Sequence, residues 1–418
     1  RRQRQMCIRD RAYISKDNFM ENFQYCLPTR YIFGQGVSSK VGQTISDLGY
    51  KKVLIVYGGG SAVRSGLISS IKEQLASFSI GYTLLGGVKP NPRADLVYEG
   101  IEIARKEKVD FILPVGGGSV IDTAKAISLG AADSEQGDFF DFYLKKRKPV
   151  TSLKVGAVLT IPAAGSESST SSVIQKTIGG HIIKCGCSSE LNRPSFAILD
   201  PELTYTVSKY QTACGITDMM AHIMERYFTN SECVDVTDNI CEGLLRAIIK
   251  NAQTVMEEPR NYNARANIMW AGSLAHNNIC GVDREQDWSS HHLEHQLSAL
   301  YDVAHGAGLA VMFPAWMDYV FKHDVMRFAQ FASNVFNVTF DFDDPSVTAR
   351  AGIKALRRFF KSIGMPLSFK DIGAKSEDIP QLLSMLGVDE QNKSEGKFVV
   401  LYKSDCEKIY TIAANYRE

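Results

Sequence analysis

The sequence predicts an α/β dinucleotide-binding domain built on a parallel sheet, followed by an all-α metal-binding domain. Three observations carry this expectation. Two units of strand, Gly-Gly-Gly-Ser turn and helix stand in the first half, at 53–75 and 111–130. Strand signals all but vanish after about residue 205, where long helical periods take over. Four of the eight histidines of the chain crowd into 288–308.

A length of 418 residues corresponds to roughly two to three domains at about 150 residues each. The net charge of +1, from 47 basic and 46 acidic side chains, gives no electrostatic reason to expect nucleic acid or an anionic membrane as partner. Nine scattered cysteines with no CxxC pair fit reduced thiols in a cytoplasmic protein. No apolar run reaches the roughly 20 residues that span a bilayer, and the basic start lacks the apolar core of a secretory signal. Residues 1–19 read as a non-native or disordered leader, with Met20 as the natural start. The α/β domain is then expected over 20–205 and the helical domain over 206–418.

Taken in order, the first clear strand is 53–57, VLIVY, which enters Gly58, Gly59, Gly60 and Ser61 and then a helical stretch through Leu75. The segment 86–92, GGVKPNP, is too rich in Gly and Pro for an element interior and is expected to be a rigid loop lining the cofactor cleft, with Asn91 in it. The second unit runs from 111–115 into Gly116, Gly117, Gly118 and Ser119, then a helix carrying Asp122 and Lys125. Alternating strands and helices argue for a parallel sheet with crossover helices. Glycines ahead of a helix N-terminus let backbone N–H groups approach phosphate, and two such loops in one sheet suggest a dinucleotide. Neither loop is a GxGxxG. The first carries no acid to grip a ribose 2′-hydroxyl and has Arg64 nearby, so NADP(H) is favoured over NAD(H). Next, 159–174 begins as a strand and becomes a run of hydroxyl side chains, of which Thr160, Ser166 and Ser168 are candidate donors to phosphate or ribose. A last short strand falls in 196–203, closed by Asp200 and Pro201.

The chemistry is expected in the second domain. His291 and His295 are four apart with Leu293, Leu297 and Leu300 at helical spacing, so both imidazoles share one helix face. His305 precedes Gly306 and Gly308, which predict a break that turns its ring back toward that face. Upstream, Asp218 and His222 are also four apart on a helix. Together these segments offer three or four neutral imidazoles and one carboxylate, a set suited to a divalent Fe or Zn ion. With dinucleotide loops in one domain and the histidine cluster in the other, the reactive centre is expected in the cleft between them.

The GGGSVIDTAK loop, the Asp-Pro turn before the helical domain, the DxxxH of Asp218 and His222, and the HxxxH followed by His305-Gly306 resemble the iron-containing (group III) alcohol dehydrogenases, in their butanol dehydrogenase and NADPH-dependent aldehyde reductase branch. The resemblance runs from Met20 to the C-terminus. It implies the dehydroquinate synthase-like, iron-dependent alcohol dehydrogenase fold, and metal ligands at Asp218, His222, His291 and His305. His295 would stand beside the metal without binding it, near the substrate and nicotinamide. The diphosphate would lie on Gly116, Gly117, Gly118 and Ser119, with Asp122 ordering that loop and Thr160 and Lys184 facing the cofactor. Gly59, Gly60 and Ser61 would receive the 2′-phosphate. No role follows for His276 or His292, which read as structural or surface residues.

The activity so implied is hydride transfer between NADP(H) and a small aldehyde or primary alcohol, in a homodimer, the commonest symmetric assembly. Two alternatives keep the same residues: a dehydroquinate synthase-like lyase that uses NAD and metal, and a non-catalytic nucleotide- or metal-binding protein. The sequence flanking the histidines, MMAHIMERYF and WSSHHLEHQLSALY, reads as largely apolar, which favours a small aldehyde over a phosphorylated, carboxylated substrate.

Overall fold

The computed structural model describes residues 20–417; the expected leader, 1–19, lies outside them. Eight strands form: β1 Arg30–Phe33, β2 Lys52–Gly58, β3 Gly81–Val88, β4 Phe111–Gly116, β5 Lys154–Leu159, β6 Ser171–Ile178, β7 His181–Ser188 and β8 Phe196–Leu199. Six of them make one sheet in the order β1-β8-β5-β4-β2-β3, with every pairing parallel. Each residue of β4 is buried, as a strand covered on both faces must be.

The helices of this half are α1 Val41–Asp47, α2 Ser61–Arg64, α3 Leu67–Ser77, α4 Ala94–Lys106, α5 Gly118–Ala132 and α6 Phe140–Tyr143. α1 and α3 pack on the Val53 and Ile55 side of β2. α4 and α5 pack on its Leu54 and Val56 side. The helices that follow β2 and β4 therefore leave on opposite faces, and the crevice opens at the C-terminal ends of these two neighbouring strands, where such sheets take their ligands.

Sequence pattern and structure part company at four places here. The stretch 86–88 is not loop: β3 continues to Val88, and Gly86 is there because a Cβ would stand 2.7 Å from the Tyr57 ring of the neighbouring strand. The expected helix after Ser61 is two helices, interrupted at Gly66 with φ 80°. β1 and β3 give no clear apolar alternation and were not expected. Nor was the antiparallel hairpin of β6 and β7, whose Gly179-Gly180 turn was its only local signal.

Beyond β8 the chain is helical: α7 Lys209–Tyr227, α8 Asp235–Glu257, α9 Tyr262–His276, α10 Ser289–Tyr301, α11 His305–Val320, α12 Val325–Phe336, α13 Pro345–Ser362, α14 Ile379–Leu386 and α15 Lys403–Asn415. Ser208 caps α7 by accepting from the Gln211 N–H, which satisfies one free donor of the first turn. Its residues are buried all round from Gly215 to Tyr227, and α8, α9 and α11 pack against it. Among the described residues no helix is long and apolar enough to cross a membrane.

Phe228, at the end of α7, stacks on Phe328 with ring centroids 4.3 Å apart and touches Phe313, Trp316, Phe331 and Phe398. Phe228→Ala is expected to cost about 3–5 kcal/mol, seen as a lowered urea midpoint; an unchanged midpoint would show that this aromatic cluster does not hold the helical half.

Candidate metal centre and cofactor cleft

A cleft of about 1780 Å³ runs between the sheet's C-terminal edge and the helical half. On the sheet side it is lined by Gly58, Gly59 and Ser61, by Gly116, Gly117, Gly118 and Ser119, and by Asn91, Asp122, Thr160 and Lys184. No side chain caps α5, and while the Val120 and Ile121 N–H groups bond to the Gly117 carbonyl, the opening Gly118 and Ser119 N–H groups stand at a glycine-lined wall, which suits a phosphate. A Cβ on Gly59 would meet nothing within 4 Å. Gly60, in contrast, does not border the cleft: it adopts φ 107° as the N-cap of α2, against the Arg64 guanidinium. Ser168 is fully buried behind the wall, because its loop folds inward.

Asp122 works as a tie. Its carboxylate accepts from Ser166 Oγ at 2.5 Å and from the Val173 N–H at 2.9 Å, fastening α5 to the segment after β5 and to the hairpin. Ser166 is thereby committed to Asp122. Lys184, on β7, donates from Nζ to Asn91 Oδ1 at 3.1 Å, and Asn91 Nδ2 donates to Asp302 Oδ1 at 3.3 Å. Asn91 sits at φ 53°, a conformation Asn tolerates better than most residues. This chain of bonds joins both walls of the cleft beside the histidine cluster.

On the helical side, Asp218 and His222 come from α7, His291 and His295 from α10, and His305 opens α11. Three imidazole nitrogens surround one carboxylate oxygen: His222 Nε2 lies 3.3 Å from Asp218 Oδ1, and His291 Nε2 and His305 Nε2 each lie 3.7 Å from it. Asp218 Oδ1 and His291 Nε2 are buried with no hydrogen-bond partner. Buried polar atoms left this way are costly, and a cation at their common point satisfies them. The residues present therefore fit a divalent ion with one oxygen and three nitrogen donors.

Two carboxylates that the sequence pattern did not single out orient two of these rings. Glu225 Oε2 lies 2.5 Å from His291 Nδ1, and Glu225 Oε1 accepts from Ser290 Oγ and the His291 N–H. Glu294 accepts from His305 Nδ1 and from Ser298 Oγ. With Nδ1 so engaged, each ring presents Nε2 inward. The readable signal was a repeated H-x-x-E, His222 to Glu225 and His291 to Glu294. Burial disfavours charge on Asp218, yet the facing His222 and His305 hold its carboxyl well below the usual range. Burial likewise opposes charge on His291, but Glu225 and Asp218 outweigh it and raise the imidazole to about 9. For His222 burial wins, pushing it down to about 4.

The break before His305 exists, but its cause is different from the expected one. α10 ends at Asp302, which takes φ 52°, while Gly306 lies inside α11, where a Cβ would stand 2.0 Å from the Cys214 carbonyl of α7. Gly306 serves helix contact, and that contact brings His305 over Asp218. His295 has its ring centroid 5.4 Å from His305 and 6.2 Å from His291, adjacent to the donor set. The surroundings are also less apolar than the sequence suggested, since Glu225, Arg226 and Glu294 all turn inward. His276 is not a surface residue: it lines the cleft, with its ring 4.1 Å from that of His222. His292 does lie at the surface, paired with Glu395 at 2.5 Å.

If Glu225 orients His291 as described, Glu225→Gln should weaken Zn2+ or Fe2+ binding about 10–100-fold, measured by equilibrium dialysis. Unchanged affinity would show that Glu225 does not serve the donor set.

The comparisons with known proteins agree across both halves. The iron-containing alcohol dehydrogenase model matches residues 28–201, and the Fe-containing alcohol dehydrogenase C-terminal model matches 212–414. NADH-dependent butanol dehydrogenase A of Clostridium acetobutylicum is 37% identical over 392 residues, covering 94% of this chain and 99% of that protein. The NADPH-dependent aldehyde reductase YqhD of Escherichia coli is 36% identical over 371 residues, covering 88% and 93%. Among solved structures, NADH-dependent butanol dehydrogenase A from Thermotoga maritima superposes with a TM-score of 0.90 at 38% identity, covering 95% of this chain and 99% of that one. The chain thus belongs to the iron-containing alcohol dehydrogenase family, and is an NAD(P)-dependent oxidoreductase rather than a dehydroquinate synthase-like lyase.

Proposed function

We propose that this chain interconverts small aldehydes and primary alcohols, with NADP(H) favoured over NAD(H) and a divalent Fe or Zn ion held by Asp218, His222, His291 and His305. The observation that carries the reading is the buried donor set facing a cleft whose opposite wall is glycine turns and the open end of α5. The names of the butanol dehydrogenase and aldehyde reductase relatives support the substrate class. When bound, the ion supplies Lewis-acid polarisation of a carbonyl or alcohol oxygen, and the nicotinamide gives or takes the hydride.

The remaining work falls to side chains. His295 is the group to exchange the alcohol proton. Burial, then the nearby Lys184 ammonium, keep its imidazole well below the ordinary range, so it is neutral at pH 7, with one N–H and one lone pair to offer. The Lys184–Asn91–Asp302 chain fixes a wall of the cleft that would hold the cofactor. Gly58–Ser61 contains no acid and Lys89 borders the same cleft, which accommodates a 2′-phosphate. The relatives' names divide on this point, NADH for the butanol dehydrogenases and NADPH for YqhD. Cys26, Cys185, Cys187, Cys214, Cys241, Cys280 and Cys406 are free thiols, which supports a cytoplasmic setting, and a homodimer is the expected assembly.

The test is coenzyme oxidation with butanal, using NADPH or NADH, before and after chelation and with Fe2+ or Zn2+ added back. Chelation should lower the rate on the order of a thousandfold, add-back should restore it, and kcat/KM should be higher with NADPH. Ser61→Asp should reverse that preference. Full activity in the chelated protein contradicts the metal reading; preference for NADH in the unmodified protein contradicts the reading of the first loop alone.

A further inference from the structure

The structure assigns to Arg226 a second recognition site in the cleft, for an anionic group at the far end of the substrate, so that the preferred aldehyde is a short ω-oxo acid. This deepens the aldehyde reading above and rests on it. Arg226 follows His222 by four residues on α7, one helical turn or about 6 Å along the axis. It lines the same cleft as the histidine cluster, together with His276, Asn278, Gln286 and Trp288. Its side chain is held in place: Nη1 donates to the His222 carbonyl at 2.6 Å, Nη2 lies 2.8 Å from His276 Nδ1, and the guanidinium sits over the Trp288 ring, 4.6 Å from its centroid.

What this guanidinium lacks is a counter-ion. It is 3% exposed, its Nε has no hydrogen-bond partner, and among the described residues no carboxylate lies within ion-pair distance of it. The neighbouring Glu225 is committed to His291 and Ser290. Other buried arginines of this half are paired: Arg284 with Asp238 at 2.9 Å, Arg327 with Asp238, Arg357 with Asp318 at 2.7 Å. Arg265, which has no carboxylate, donates to Thr212 Oγ1 and the Pro259 carbonyl and does not border the cleft. A buried charge without a partner is strongly disfavoured; one retained at the wall of a substrate cleft, stacked on an aromatic ring and fixed by two further bonds, is arranged for an anion that arrives with the ligand. Two ends are then recognised. The histidine cluster receives the carbonyl, and the Arg226 guanidinium, held against the His222 backbone on the same cleft wall, receives a carboxylate at the other end of a short chain.

The experiment compares 4-oxobutanoate with butanal, which share chain length and differ in the terminal carboxylate, using the metal-loaded enzyme and NADPH. The unmodified enzyme should show at least a tenfold higher kcat/KM for 4-oxobutanoate, expressed mainly in KM. Arg226→Met should shift the ratio of the two kcat/KM values at least tenfold toward butanal, and Arg226→Lys should restore part of the preference. Equal kcat/KM for the two aldehydes in the unmodified enzyme, or an equal fall on both in Arg226→Met, overturns the site and leaves the aldehyde reading standing. Turnover of neither aldehyde removes the aldehyde reading. The anion site is then judged by thermal shift: stabilisation by 4-hydroxybutanoate but not by 1-butanol, lost in Arg226→Met, supports it, and no difference between the two ligands overturns it.

Discussion

The candidate site of the helical half depends on one buried point, Asp218 Oδ1, with three imidazole nitrogens around it. Asp218 and His222 come from one helix, His291 from a second and His305 from the start of a third, so the point exists only when α7, α10 and α11 are packed. The packing is correspondingly close, as the contact between Gly306 and the Cys214 carbonyl shows. Glu225 and Glu294 complete the arrangement by holding the outer nitrogens of two rings. Removing two carboxylates from water is expensive, and here each is compensated by an imidazole of the candidate donor set.

The sheet contributes a wall that is braced from behind. Asp122 binds three segments together through Ser166 and Val173, and fully buried Lys125 donates to the Ser169 and Ser171 carbonyls. These bonds stiffen the route from the β5 loop to the hairpin, so Lys184 reaches Asn91 from a fixed base. Asn91 then meets Asp302, the residue whose left-handed backbone turns the chain into His305. The sheet-side wall and the helical-side wall of the cleft are thus positioned by a shared contact.

Much of this was legible in the residues. Strand–glycine–helix units announce a parallel sheet because alternating strands and helices call for crossover connections, and His/Asp spacings of four announce a common helix face. The ligand set itself was named through family resemblance, on motifs that local spacing left open. What could not be read is what depends on distant partners. Gly86 looks like loop until Tyr57 is beside it, and Gly306 looks like a helix breaker until α7 is. His276 and Arg226 are ordinary in sequence; their meaning comes from Trp288, some ten and sixty residues further on. Glu225 and Glu294 carried a local sign, the repeated H-x-x-E, that only the partner rings make intelligible.

The central claim, that Asp218, His222, His291 and His305 form one metal site, is tested most directly by crystals of the metal-loaded protein with diffraction recorded at the absorption edges of Fe and Zn. The account predicts a single strong anomalous peak bounded by Asp218 Oδ1 and the Nε2 atoms of the three histidines. A peak instead among Glu294, His295 and His305, whose donor atoms also lie within 4.8 Å of one another, would contradict it.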